Sequence, residues 1–302
     1  MKKNKFIIIL SMVLFAFTSC KTLEVIEDIA ETTLNSEDAM EAIRKTREEI
    51  TPENEYYIGR AVAATILSQY EVYENPSITN YLNKICGALT INSDKPYLYK
   101  GYNVTILESD ELNAMATSGG HIFVTTGILK CVESEDEIAA ILAHEVSHIQ
   151  LSHSATAIKG DRYTKMILEI GKANINANIK ESEFYTKEEL ESFSNSVLNF
   201  TDTLMNSGFS QVQEFEADEN AIVLMQKAGY NPNKLTSMLE LINTVDNKNG
   251  GWYRTHPSPK DRIKAVKKSL KSMNSNFDFF VAQEMAGFEL RTNRFNQIMQ
   301  SL

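Results

Sequence analysis

"SEDEIAAILAHEVSHIQLSHS", residues 134–154, holds three of the five histidines in the chain, and its reading decides the fold around it. Ser134 followed by Glu135, Asp136 and Glu137 is a cap with an acidic first turn, so a helix starts here. On that helix His144 and His148 are one turn apart with an offset of about 40°, and both rings leave the same face. Two imidazoles so placed can meet one ion. Zinc takes neutral imidazole nitrogens at about 2.0–2.1 Å, and a catalytic site keeps one coordination position open for water. Glu145, beside the first histidine, leans over that water rather than binding the metal. Water on zinc has its pKa lowered toward about 7, and a nearby carboxylate can take its proton and pass it to a leaving amine. The same spacing also arises by coincidence, so the reading requires a third ligand elsewhere in the chain.

"EFEAD", residues 214–218, offers one. In a predicted helix Glu214 and Asp218 share a face, whereas Glu216 lies about 200° round and points elsewhere. One carboxylate of the facing pair can bind zinc while the other accepts the N–H of a ligand histidine and fixes its tautomer. Ala139, Ala140, Ala143, Ala217 and Ala221 give small side chains where two such helices must approach closely. Taken alone, the stretch reads as a solvated acidic helix face; beside the histidine pair it reads as ligands. Nine residues beyond His144, His153 falls on the opposite helix face and is expected to pack or cap, not to bind the metal. His121 is expected at the surface or beside the cleft.

With 302 residues, 43% hydrophobic and 23% charged, the chain is sized for one large globular domain or two small ones. "MKKNK" and the apolar run "FIIILSMVLFAF" have the form of a secretory signal, too short to span a bilayer comfortably. The run ends at "TSC", which resembles a bacterial lipoprotein signal with lipid on Cys20, although Phe17 stands where such signals usually have Leu. An ordinary signal peptide or an uncleaved anchor is the alternative. Later segments are not apolar enough to cross a membrane, so the remainder is expected to be a soluble domain tethered at its N-terminus. Removing residues 1–19 takes away Lys2, Lys3 and Lys5 and no acid, so a formal charge of −10 becomes −13. A surface so acidic argues against nucleic acid as a partner and against broad docking on anionic lipid. Beyond Cys20 there remain Cys86 and Cys131, as a disulfide or as two buried thiols.

Residues 22–50 read as a helix leading away from the membrane, and 55–73 and 77–89 as amphipathic helices with Pro76 and Ser77 as break and cap. The β signal follows: 102–109 with Val104 and Ile106 turned inward, then strand, Gly-Gly turn and strand over 113–129. Beyond Ser134 nearly everything is helical. That includes 161–207, between the two ligand helices, which can cover the cleft as a lid, and 210–229, closing on a glycine cap. The expected fold class is α+β, mainly helical, with one small antiparallel β-sheet.

"NAMATSGGHIFVTTGIL", "AHEVSHIQLSHS", "EFEADENAI" and "THPSPKDRI", in that order, resemble the HtpX/BepA-like and CAAX-prenyl-protease-like zinc metallopeptidases over residues 55–270. The resemblance implies a zincin-like metallopeptidase domain with one Zn2+ held by His144, His148 and Glu214, Glu145 as catalytic base, and Asp218 behind a ligand. It also implies His256 near the zinc and Arg262 near the substrate carbonyl. Neither the transmembrane helices of some branches nor tetratricopeptide repeats are recognisable, so the chain is similar to a soluble, lipoprotein-type branch. The organisation expected is a signal peptide over 1–19, a tether over 20–50, the metallopeptidase domain over 51–275 and a C-terminal helical tail over 276–302.

His256 sits in "GGWYRTHPSP", where two glycines let the loop bend and Pro257 restricts His256 to extended geometry. Its imidazole can stabilise charge developing on a bound carbonyl, or cover the open position on the zinc. Gly120, His121, Ile122, Phe123 and Val124 are expected to form an edge strand bordering the cleft, able to pair with an extended peptide. The function expected is a zinc endopeptidase acting on unfolded or misassembled envelope polypeptides, lipid-anchored in a bacterial cell envelope. The competing reading is a zinc-binding, chaperone-like lipoprotein with little proteolysis; its hallmark would be loss of the base, and Glu145 is present. A structural lipoprotein without metal leaves the ligand trio unexplained.

Overall fold

A computed structural model describes residues 51–154, 187–245, 255–256, 259–273 and 277–302. Cys20 with the signal stretch, the helix read over 22–50 and residues 161–186 of the candidate lid lie outside the described residues.

Thr51 caps α1 (Pro52–Leu67) by accepting the Asn54 amide at 3.2 Å, with Pro52 in the first turn. The helix ends short of the 73 read from the sequence, because the chain turns into a two-residue strand, β1 (Glu71–Val72). Asn75, rather than Ser77, caps α2 (Pro76–Thr90) by accepting the Ile78 amide. Next come β2 (Asn103–Glu108), β3 (Ala114–Thr117) and β4 (His121–Thr125), the last two joined by a 3-10 turn at Ser118–Gly120. Gly119 in that turn has φ 72°, and a Cβ there would lie 2.2 Å from Tyr56 Cα on α1, so glycine is required. Strand gives way at Thr125, whose hydroxyl caps the short α3 (Thr126–Cys131), a segment the sequence reads as strand up to 129. The other described helices are α4 (Glu135–Gln150), α5 (Lys187–Asn206), α6 (Gln211–Ala228), α7 (Asn233–Val245), α8 (Pro259–Met273) and α9 (Phe277–Met299).

The sheet has the order β1-β2-β4-β3 and is mixed, with β2 parallel to β4 and the other two pairs antiparallel. Two expectations are corrected by this. The sheet is not antiparallel throughout, because β2 and β3 run in opposite directions and β4 folds back into the gap between them. For the same reason β4 is a central strand. Residues His121 to Val124 pair on both sides and Gly120 closes the turn, so this set cannot offer a free edge to a peptide. The edge beyond β4 is β3.

Both faces of the sheet are covered, which is why β3 and β4 read as continuous apolar runs rather than alternating ones. Val104, Ile106, Ala114, Ala116, Ile122 and Val124 join one core with residues of α2 and α4. Leu107, Met115 and Phe123 join another with Ile58, Val62 and Ile66 of α1 and Val197, Leu204 and Met205 of α5. The described part of the candidate lid is therefore packed beside α1. Cys86 and Cys131 are separate free thiols, and burial pushes the Cys86 thiol up to about 12.

α4 is buried from Glu135 to Ile149. Ser134 caps it, and its acidic first turn is neutralised by groups distant in sequence: Arg294 on Glu135, Arg291 on Asp136 at 3.1 Å and Lys234 on Glu137 at 3.0 Å. The segment read as a C-terminal tail thus lies on the end of the central helix, with Phe295 buried in the core. α6 begins with a capping box of Ser210 and Gln213, ends at Gly229 and packs along α4. Ala139, Ala140, Ala143, Ala217 and Ala221 have no exposed surface.

Candidate metal centre

One turn of α4 supplies His144 and His148, one turn of α6 supplies Glu214 and Asp218, and the chain ahead of α8 supplies His256. One ligand atom from each of His144, His148, Glu214 and His256 lies within 4.8 Å of all the others. His144 Nε2 is 3.0 Å from His148 Nε2 and 3.4 Å from Glu214 Oε2. His256 Nδ1 is 3.0 Å from Glu214 Oε1 and 3.3 Å from His144 Nε2. Glu216 is not in this group. Asp218 stands behind His144, with Oδ1 at 3.0 Å from Nδ1, so a metal on Nε2 leaves a proton on Nδ1 for Asp218 to accept.

Glu145 has no exposed surface, and among the described residues neither of its oxygens has a hydrogen-bond partner. His256 Nε2 lies 3.7 Å from Oε1. Burial raises the Glu145 pKa above the ordinary carboxylate value, with the neighbouring His256 and His144 opposing. An orphaned carboxylate facing three imidazoles and a second carboxylate is a costly arrangement for a protein interior unless a cation shares the space. The donor set fits one metal ion.

Arg262 is fully buried and binds two carboxylates at once. Nε and Nη2 donate to Asp218 at 2.8 and 2.7 Å, and Nη1 lies 2.8 Å from Glu214 Oε2. Burial alone would raise the Glu214 and Asp218 carboxyls, but His256 and Arg262 hold Glu214 well below the usual range, and Arg262 does the same for Asp218. For His144, burial and Arg262 push the pKa down but are outweighed by Asp218 and Glu214, which bring it up to about 9. Burial and then His144 push His148 far down. The guanidinium expected beside a substrate carbonyl is instead spent on these carboxylates, because a buried cation is costly unless its donors are met.

The position of His256 depends on a close approach of backbones. Thr255 O sits where a Cβ on Gly208 (φ 66°) would lie 1.3 Å away, so only glycine lets the two strands of chain meet. His256 Nε2 then reaches Ala114 O on β3 at 3.4 Å. His121 is half-buried, with its ring 5.4 Å from that of Tyr56.

Two residues at the centre escape the sequence reading. Phe209 stacks on the His148 ring at 4.0 Å and 16°. His153 Nδ1 is 2.9 Å from His148 Nδ1, although helical periodicity puts His153 on the far face. The periodicity fails because α4 ends at Gln150. Ser152 takes φ 56°, its amide bonds to Ile149 O, and the His153 amide bonds to His148 O, both at 3.0 Å. This is the Schellman closure, which folds the last residue of the turn back onto the helix position whose carbonyl it binds. Glycine usually marks such a turn; here serine does, so the signal is absent.

Two histidines and a carboxylate from two packed helices, with a buried glutamate next to the first histidine, form a group that could hold one metal ion, as a metallohydrolase centre requires. Residues 76–270, more than half of the chain, match peptidase family M48, and the chain belongs to that family of metallopeptidases. It is 30% identical to the mitochondrial metalloendopeptidase OMA1 of Schizosaccharomyces pombe over 172 residues, 56% of this chain and 47% of that protein. Similarity to the beta-barrel assembly-enhancing protease of Escherichia coli K12 is 21% identity over 217 residues, 69% of this chain and 43% of that protein. To metalloprotease LoiP of the same organism it is 26% over 202 residues, 66% of this chain and 73% of that protein. The chain spans less than half the length of the first two relatives.

Proposed function

We propose that the chain is a zinc-dependent endopeptidase acting on exported polypeptides, with His144, His148 and Glu214 as ligands of one zinc ion and Glu145 as general base. The observation that carries this reading is Glu145 itself, a fully buried carboxylate with no hydrogen-bond partner among the described residues, beside a group that could hold a metal ion. Bound zinc supplies Lewis-acid chemistry, polarising a carbonyl and acidifying water. Glu145 takes the proton of the attacking water and returns it to the leaving amine, roles that its raised pKa suits. Asp218 holds the proton side of His144, and Arg262 holds Asp218 and Glu214.

His256 within the ligand group favours a resting state in which its imidazole occupies the position that water and substrate need. Substrate pairing belongs to β3 rather than β4. The carbonyls of Ala114 and Ala116 accept from His256 Nε2 at 3.4 Å and Ser154 Oγ at 3.2 Å, and amides of an extended peptide can replace both donors. Main-chain pairing carries little sequence preference, as suits a protease of unfolded or misassembled envelope proteins. The E. coli relative named as a beta-barrel assembly-enhancing protease supports that substrate class. The N-terminal sequence supports export and lipid on Cys20, on the periplasmic side or surface of a bacterial envelope; among the described residues no helix can cross a membrane.

Casein hydrolysis with and without a chelator, combined with metal analysis, tests the reading. Glu145→Gln is expected to retain zinc and lose most activity, since an amide cannot accept the proton. Cleavage by Glu145→Gln at the parental rate would refute the mechanism.

A further inference from the structure

We propose that His153 is a positioning residue for the metal centre, fixing the His148 ring from behind while Glu216 fixes His153; this rests on the metallopeptidase reading. His148 Nε2 faces the ligand group, so Nδ1 faces away, toward His153. A metal on Nε2 leaves the His148 proton on Nδ1, and that N–H donates to His153 Nδ1 at 2.9 Å. His153 must then carry its own proton on Nε2, which lies 3.3 Å from Glu216 Oε2. The bonds run in one direction, from His148 to His153 to Glu216. His144 meets its carboxylate, Asp218, directly; His148 meets one through an interposed imidazole.

The Phe209 stack shows why this bond has work to do. Stacking sets the plane of the His148 ring but is indifferent to a 180° flip about Cβ–Cγ, which would turn a carbon toward the metal. A partner for Nδ1 distinguishes the two states from behind, before any metal is bound. The partner is built in, because the Schellman turn at Ser152 places His153 there with 5% of its surface exposed. Outer partners of this kind orient the ligand and raise its basicity, and losing one typically lowers metal affinity about 10–100-fold.

The test is zinc affinity of the purified full chain, measured by competition with a chromogenic chelator. His153→Phe keeps a ring of similar size and removes the acceptor, and is expected to bind zinc about 10–100-fold more weakly than the parent. His153→Asn restores an acceptor at the δ position and is expected to recover most of that loss. A merely structural role predicts no such rescue. Parental affinity in His153→Phe overturns the proposal, and so does equal weakness in the Phe and Asn variants. If His153→Phe fails to fold, Glu216→Ala decides, since that side chain is 55% exposed. Several-fold weaker binding then supports the relay, and parental binding overturns it. A parent chain that binds no zinc would sink the proposed function as well, whereas a zinc-binding parent with unaffected variants sinks this inference alone.

Discussion

His256 and Arg262 stand close in sequence and do opposite things at the centre. Arg262 has no exposed surface and its donors are taken by Asp218 and Glu214, so it cannot turn toward a substrate without abandoning a buried carboxylate. His256 is held by Glu214 and by a long contact to Ala114 O, both of which another donor can replace. The two active roles open to His256 separate in one variant. If the imidazole mainly stabilises developing charge, His256→Ala lowers turnover about 10²–10³-fold, the scale for one oxyanion donor. If it mainly covers the metal, the same change raises basal cleavage of casein. Its place inside the ligand group favours the rise, and an unchanged rate refutes both roles.

At the scale of elements, what was legible in the sequence is what is local. Spacing of four within one helix brings His144 and His148 to one side of α4, and Glu214 and Asp218 to one side of α6, whatever the rest of the chain does. The β3–β4 hairpin was legible for the same reason, from a Gly-Gly turn between apolar runs. The parallel contact of β2 with β4 was not, because it depends on where the chain returns rather than on any local pattern. Nor was the partnership of His153 with His148, which hangs on where α4 stops. Ser152 holds φ 56° without glycine, and its hydroxyl donates to Glu55 at 2.9 Å. Ser152→Gly relieves the left-handed strain and forfeits that bond, so the net change in stability should be near zero. Ser152→Val puts a β-branched residue in the same conformation and should cost about 1–3 kcal/mol. Thermal unfolding compares the two, and a valine variant as stable as the glycine one would show that the turn is not constrained as described.

At the scale of the whole molecule, the ligand helix is closed locally at one end and fixed at the other by groups far away in the chain. Its C-terminal end closes on His153; its N-terminal end carries Glu135, 1% exposed, which accepts from Tyr81 at 2.8 Å, from Tyr230 at 3.1 Å and from Arg294 on α9. Three acids in a first turn suit the helix dipole, but buried acids need donors as well as a favourable field. Arg294 supplies a full charge to Glu135, and α9 reads from its sequence alone only as a C-terminal helical tail. Removing it by Arg294→Ala leaves Glu135 with two phenols. Hydrogen bonds to a charged group contribute about 1.5–3 kcal/mol, and the half-exposed guanidinium, 49% accessible, brings the expectation toward about 1–2 kcal/mol. For a domain of this size that is a fall in the melting temperature of roughly 2–8 °C. Arg294→Lys retains the charge but not the paired donors and should lie between the alanine variant and the parent. A merely solvated tail would tolerate either change with a shift of under about 0.5 kcal/mol, so an unchanged melting temperature in Arg294→Ala would detach α9 from the support of the metal centre.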